Sequence, residues 1–280
     1  MNIMITKLAP SVRLPYKQTQ GSLAQRQQAA IEVVDKLYRK LYPKFDKNNE
    51  LPMSEIQKSI DDIFEKKVKI IVKESSTPEF DGSSDVIISP INGSFTATTL
   101  ELNPNKKGKI HISDLITVAH EFQHIVDQIF IPKYLVRGQK LTINSMVTPK
   151  YQKLYDELYC YEYPTSKAEK QKIIKLLEYK IKKFLRGMSI SEKMDYVQDA
   201  RYSLIMEEQA YRTQLKYAKK LHKKHLPIKD GELDDEISLH MLKEKIKLVT
   251  QIGFEIIEKE RGKHAAKLKK QKLRNVKTNQ

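Results

Sequence analysis

The sequence predicts an α+β chain in which helices, a small sheet and a helical second half follow one another as segregated blocks. Three observations carry this. Apolar residues recur at helical spacing up to about residue 65, alternate with period two from Val68 to Ile112, and return to helical spacing after Ser113. Residues 1–20, polar and holding two prolines, read as a flexible tail ending near Gly21. From Ser22 to Tyr42, the positions Leu23, Ala30, Val33, Val34, Leu37 and Leu41 mark a helix that Pro43 stops. A second helix is expected over 54–65, with Ser54 as N-cap ahead of Ile56, Ile60 and Ile63. Val68, Ile70 and Val72, then 86–88, Phe95 to Leu102, and Lys109 to Ile112 read as short, mostly antiparallel strands. Turn-formers at Asp81-Gly82-Ser83-Ser84, Asn92-Gly93 and Asn103-Pro104-Asn105 separate them. Ser113 caps the next helix, 113–130, and further helices are expected over about 148–160, 166–186, 191–221 and 236–274. The expected partition is a tail, 1–20; a subdomain with the sheet, 21–130; a helical subdomain, 131–257; and a basic tail, 258–280.

The 280 residues carry 51 Lys+Arg against 35 Asp+Glu, a net charge of +16, and are 40% hydrophobic. That is enough apolar material for a core and too much for a wholly disordered chain. The single cysteine, Cys160, excludes an internal disulfide framework and any multi-cysteine zinc site, and fits a reducing compartment. Lys7 and Pro10 interrupt the stretch where a secretory leader would need an unbroken apolar run, and no later stretch approaches the roughly 20 residues needed to cross a bilayer. The expectation is a cytoplasmic protein, or one secreted without a cleaved signal, with no membrane insertion.

Chemistry concentrates in Val118-Ala119-His120-Glu121-Phe122-Gln123-His124-Ile125-Val126-Asp127, which matches His-Glu-x-x-His. Residues four apart share a helix face, so two imidazoles can grip one Zn²⁺ while the intervening Glu leans toward a water on the metal. At 100° per residue, Leu115, Val118, Ala119, Phe122, Val126 and Ile129 form one apolar arc, with His120, His124 and Asp127 on the opposite side. A polar face that happens to hold two histidines and two acids is the bland alternative, but it gives no reason to set two of only seven histidines around a Glu.

Two histidines leave zinc short of a ligand. Ile-Val-Asp-Gln-Ile after His124 excludes a third histidine in a His-x-x-Gly-x-x-His continuation, so an acid on another helix is sought. In 191–221, Tyr196, Ala200, Leu204, Tyr211, Leu215 and Ala218 form the inward arc. Glu207 falls near its middle and Glu208 toward its edge. An acid on a buried stripe needs a partner, which favours Glu207 as the third ligand over Glu208.

With these residues in place, the sequence resembles the gluzincin metallopeptidases. Its closest flavour is that of anthrax lethal-factor-like catalytic domains, with His-Glu-Phe-Gln-His-Ile-Val-Asp here followed by a Glu-x-x-Ala helix. The resemblance covers about 30 residues on two helices. It implies a zincin-like fold, His120, His124 and Glu207 as Zn²⁺ ligands, Glu121 as general base, and Asp127 as a supporting acid. It also implies an edge strand that pairs with a peptide substrate, for which Phe95–Leu102 is the expected one. The sequence departs from the family in lacking a thermolysin-type Asn-Glu-x-x-Ser-Asp motif, and Ala200 stands where lethal-factor-like domains place a catalytic Tyr. Tyr196, Tyr202 and Tyr211 stand nearby, and Tyr211, one turn after Glu207, is preferred as the oxyanion-stabilising residue.

The expected function is hydrolysis of a peptide or protein substrate by metal-activated water. The alternative is a catalytically silent fold of the same kind used as a basic module for nucleic acid or an acidic protein. Residues 166–187, 216–229 and 258–280 carry net charges of +6, +6 and +7, leaving the remainder slightly acidic. Lysine runs without interleaved aromatics usually form solvated faces, so nucleic acid is possible but not favoured. His111 on its strand, and His222 and His225 at a helix end, are expected to stay off the metal. The tyrosines of 151–163, with Cys160 among them, are expected to pack in a core.

Overall fold

A computed structural model describes residues 22–64, 69–75, 82–88, 95–130, 166–226 and 235–277. The expected tail 1–20, the helix 148–160 with its tyrosines and Cys160, and the last residues of the basic tail lie outside the described residues. Among those described, the chain is mixed α and β and mostly helical. The elements run α1 (Leu23–Leu41), a 3-10 turn (Tyr42–Lys44), β1 (Glu50–Pro52), α2 (Met53–Ile63), β2 (Ile70–Glu74), β3 (Gly82–Ile88), β4 (Phe95–Leu102), β5 (Lys109–His111), α3 (Asp114–Phe130), α4 (Lys167–Phe184), α5 (Ile190–His222) and α6 (Asp235–Lys277). No helix among the described residues is long and apolar enough to cross a membrane.

Several local expectations are corrected. α1 is capped by Ser22, whose hydroxyl accepts from Gln25 N–H while the Gln25 side chain answers to Ser22 N–H, a reciprocal capping box. α2 instead starts one residue before Ser54, with Pro52 in the cap position and no side-chain cap, because the preceding chain is held as β1 against β5. β1 itself is too short to show a period. Gly82, Ser83 and Ser84, expected in a turn, lie in β3 because they pair with Leu102, Glu101 and Leu100. Tertiary pairing overrides turn propensity there. Ahead of α3, the Ser113 hydroxyl meets His111 Nδ1 at 2.8 Å and the Asp114 carboxylate accepts His111 N–H at 2.8 Å, so Asp114 begins the helix.

The strands form two sheets rather than one. β1 and β5 pair antiparallel, while the other sheet has the order β2-β4-β3, with β2 parallel and β3 antiparallel to β4. β4, the strand expected at the edge, is therefore central. Among the described residues β3 pairs with β4 alone and is an edge.

Two compact units divide the chain, one spanning Met1–Lys140 with Met206–Leu239, the other Leu141–Ile205 with His240–Gln280. The division crosses α5 just before Glu207, so Glu207 belongs to the same unit as His120 and His124. In that unit α1, α2, the sheets, α3 and the later turns of α5 share one core. Val34, Leu37, Ile56, Leu100, Leu115, Val118, Phe122 and Tyr217 are among its buried members. Each large side chain so buried contributes about 1.5–3 kcal/mol. Phe122, inside the His-Glu-x-x-His segment, stacks on Phe64 with ring centroids 6.1 Å apart.

The basic stretch that closes α5 is put to structural use. Lys216 donates to the Gln27 side chain at 2.7 Å, Lys220 pairs with Asp35, and the Lys224 ammonium lies 4.2 Å from the Tyr38 ring centroid. These lysines, spaced four apart, line up along α1, while Lys216 and Lys224 stay exposed. In the second unit, Leu177, Ile181 and Phe184 of α4, Tyr196, Val197 and Ala200 of α5, and Leu242, Val249 and Ile252 of α6 are buried, with the Phe184 and Tyr196 rings 5.1 Å apart. Gly253 permits the close α5–α6 approach, since a Cβ there would stand 2.9 Å from Val197 Cγ1.

Candidate metal centre

α3 is apolar enough to be drawn into the core, yet every residue from Val118 to Val126 is buried, including the polar arc. The side opposite the apolar arc is covered as well, the His120 face by α5 and Asp127 by α1. A polar stripe in such a position must find partners inside the protein.

The partners converge. His120 Nε2 and His124 Nε2 lie 3.2 Å apart, and each stands 3.3 Å from one oxygen of the Glu207 carboxylate. Around a four-coordinate ion with arms of about 2.05 Å, neighbouring donors sit about 3.3 Å apart. The three residues sequence phase selected thus present their donor atoms at the spacing one metal ion needs, and as a group they can hold one. Glu207 retains 21% side-chain exposure against 9% and 11% for the two histidines, so the group is reached from the Glu207 side. Glu208 is committed elsewhere, to Arg212 at 2.6 Å.

The electrostatics follow from the crowding. Burial alone would lower the His124 pKa, but the Glu207 carboxylate, with Glu121 and Asp127 beyond it, raises it to about 9. Burial would raise the Glu207 pKa, and the two imidazoles overcome this and hold it well below the ordinary carboxylate range.

His120 is oriented from behind. Its Nδ1 lies 2.8 Å from the Gln214 side-chain oxygen on α5, which fixes Nδ1 as the donor and leaves Nε2 free for the cluster. Gln214 escaped the sequence reading. The signal was present, because Glu207, Tyr211 and Gln214 follow one another at i, i+4 and i+7 on one face of α5. Tyr211 stands edge-on to the His120 ring, with centroids 4.7 Å apart and planes at 86°. Tyr196, by contrast, packs on Phe184 in the second unit, and Tyr202 is buried in that unit as well. Of the three tyrosines, Tyr211 is the one brought against a candidate ligand.

Glu121 is 5% exposed, and its charge helps to raise the His124 pKa. The Ser84 hydroxyl of β3 reaches the Glu121 carbonyl at 3.5 Å, bringing the edge strand against the motif. Asp127 is fully buried and accepts from Arg26 Nε at 2.5 Å. Burial raises its pKa above the ordinary value, against the opposing pull of Gln123, Arg26 and His124. Truncating one partner of such a buried pair costs about 3–5 kcal/mol, because the other charge is stranded. Gln123 Nε2 and Asp127 Oδ2, one turn apart, lack close hydrogen-bond partners. The Gln123 side-chain oxygen accepts from Thr213 Oγ1 at 2.7 Å and so joins α3 to α5 directly. Among the described residues, His111, His222 and His225 are not part of the His120–His124–Glu207 group.

No family model, curated protein or solved structure matches this chain. The site's chemistry has to be argued from its own residues.

Proposed function

We propose that the protein is a zinc-dependent peptidase of zincin-like architecture, with His120, His124 and Glu207 as ligands and Glu121 as general base. The observation that carries this is the convergence of two imidazole nitrogens and one carboxylate at 3.2–3.3 Å, with a buried acid, Glu121, between the two histidines on α3. Two imidazoles and a carboxylate suit zinc and leave its fourth position for water. Once bound, the ion would bring the pKa of that water toward about 7 and polarise a scissile carbonyl.

The remaining chemistry belongs to the chain. Glu121 would take a proton from the attacking water and return it to the leaving amine, the part of a positioned general base and acid. Gln214 holds the His120 tautomer through both steps. Tyr211, whose ring packs on His120, would offer its hydroxyl to a developing oxyanion. An extended peptide would add to β3, whose outer edge is unpaired among the described residues and whose Ser84 touches Glu121. Engagement of Lys216, Lys220 and Lys224 by α1 weighs against the basic-module alternative, since those charges are not held ready for a partner.

The purified protein is expected to contain about one zinc per chain and to cleave members of a peptide library in a chelator-sensitive manner. Metal analysis showing no zinc at micromolar free ion would sink the proposal. Salt-steep binding of nucleic acid without cleavage would favour the basic module.

Zinc affinity should depend on pH in a defined sense. His124, with its pKa raised to about 9, is protonated in the metal-free protein at neutral pH, so binding must expel that proton. Affinity should rise about tenfold per pH unit from 7 toward 9 and level off above. Chelator-competition titrations read this slope, and a flat profile would mean that the His124–Glu207 pair does not occupy the zinc site.

A further inference from the structure

Two helices carry the candidate ligands, and a third element ties them together. Arg26, in the first turn of α1 and 8% exposed, donates through Nε to Asp127 at 2.5 Å, one turn beyond His124 on α3. A terminal nitrogen of the same guanidinium reaches the Gln209 side-chain oxygen at 3.4 Å, two residues beyond Glu207 on α5. The next residue repeats the pattern on α5, with the Gln27 amide 3.5 Å from the Gln209 carbonyl and its oxygen accepting from Lys216 at 2.7 Å. A planar fork with five donors in fixed directions can hold two acceptors at a set separation, which a single ammonium cannot.

We propose that Arg26 is a positioning residue for the metal centre: by bonding Asp127 and Gln209 at once, it sets the separation of the helix bearing His120 and His124 from the helix bearing Glu207. It touches none of the candidate donor atoms and acts through Asp127 and Gln209. The inference rests on the zinc-site proposal for its functional meaning, while the brace itself is made by the chain's own side chains. Donors that must stand about 3.3 Å apart tolerate little drift between their helices. Partners beyond the ligands commonly govern affinity by 10–100-fold.

The test compares Arg26→Lys and Gln209→Met with wild type. Arg26→Lys keeps a cation beside Asp127 but cannot span both acceptors. Gln209→Met keeps the Arg26–Asp127 pair and removes only the α5 arm, so it remains informative if Arg26→Lys does not fold. In folded variants, zinc affinity by chelator competition should fall about 10–100-fold for Arg26→Lys and several-fold for Gln209→Met. The visible spectrum of the Co²⁺-substituted protein should shift as the coordination geometry loosens. Wild-type zinc affinity and an unchanged Co²⁺ spectrum in a folded variant of either kind would overturn the proposal. If wild type itself takes up no zinc, the peptidase reading fails separately. The brace is then read from denaturation of the metal-free protein by a double-mutant cycle between positions 26 and 209. Coupling supports it and strict additivity overturns it.

Discussion

Glu121→Gln should leave a folded protein that holds zinc as wild type does and has lost peptide hydrolysis by about 10²–10⁴-fold, the span that positioned proton transfer contributes. The substitution changes no shape and removes only the capacity to accept a proton. Glu121 is buried on α3 between the two histidines, close enough to His124 for its charge to raise that imidazole's pKa. Replacing a general base with a neutral amide of the same shape should leave thermal stability near that of wild type. That combination separates a proton carrier from a structural acid. A structural acid would lose stability on neutralisation, and a ligand would lose zinc. Measurement needs three readings on one preparation: zinc content, melting temperature and chelator-sensitive cleavage. Activity retained within a few-fold would remove Glu121 from the chemistry, and loss of zinc would make it part of the metal's coordination.

The residues that sequence could find are those whose geometry is written in local spacing. His120 and His124 are four apart on a helix whose apolar arc is unmistakable, and Glu207 is found by its phase on α5, because helical periodicity fixes faces without knowledge of the rest of the fold. What escaped depends on which elements meet. Arg26 lies 101 residues before Asp127, and no local pattern announces that α1 will run behind α3. Gln214 shares a face with Glu207, but that face's occupant is set by α3. The order β2-β4-β3 is invisible to strand periodicity, which says which residues alternate and not which strand is central; hence β4 was expected at the edge that β3 holds. The burial of His120 and His124 was missed for a related reason. An amphipathic pattern reports which face prefers water, while α5 supplies enough polar partners to cover that face anyway.

Adjacent acids on α5 give the sharpest test of the ligand set. Glu207→Ala should weaken zinc binding by at least about 100-fold, since it removes one of three protein donors, more than the 10–100-fold that follows loss of a supporting residue. Glu208→Ala should leave zinc affinity unchanged. Its carboxylate pairs with Arg212, which is 42% exposed, and such a pair is worth about 0–1 kcal/mol. The contrast does not rest on charge, because both substitutions remove one negative charge at neighbouring positions. It rests on direction alone, with one carboxylate turned to the imidazoles and the other to a guanidinium one turn along. The same pair of variants reports on the metal-free protein. Glu207 raises the His124 pKa to about 9 against the pull of burial, so in Glu207→Ala the imidazole should titrate well below that value and lose its proton at neutral pH. In Glu208→Ala it should titrate as in wild type. Histidine resonances followed by NMR across pH 5–10 read this without any metal present. Equal His124 titration in the two variants would place the Glu207 carboxylate away from the imidazoles, and with it the third ligand. A shifted titration together with unchanged zinc affinity would instead keep Glu207 beside His124 as a charge partner and move the third donor elsewhere.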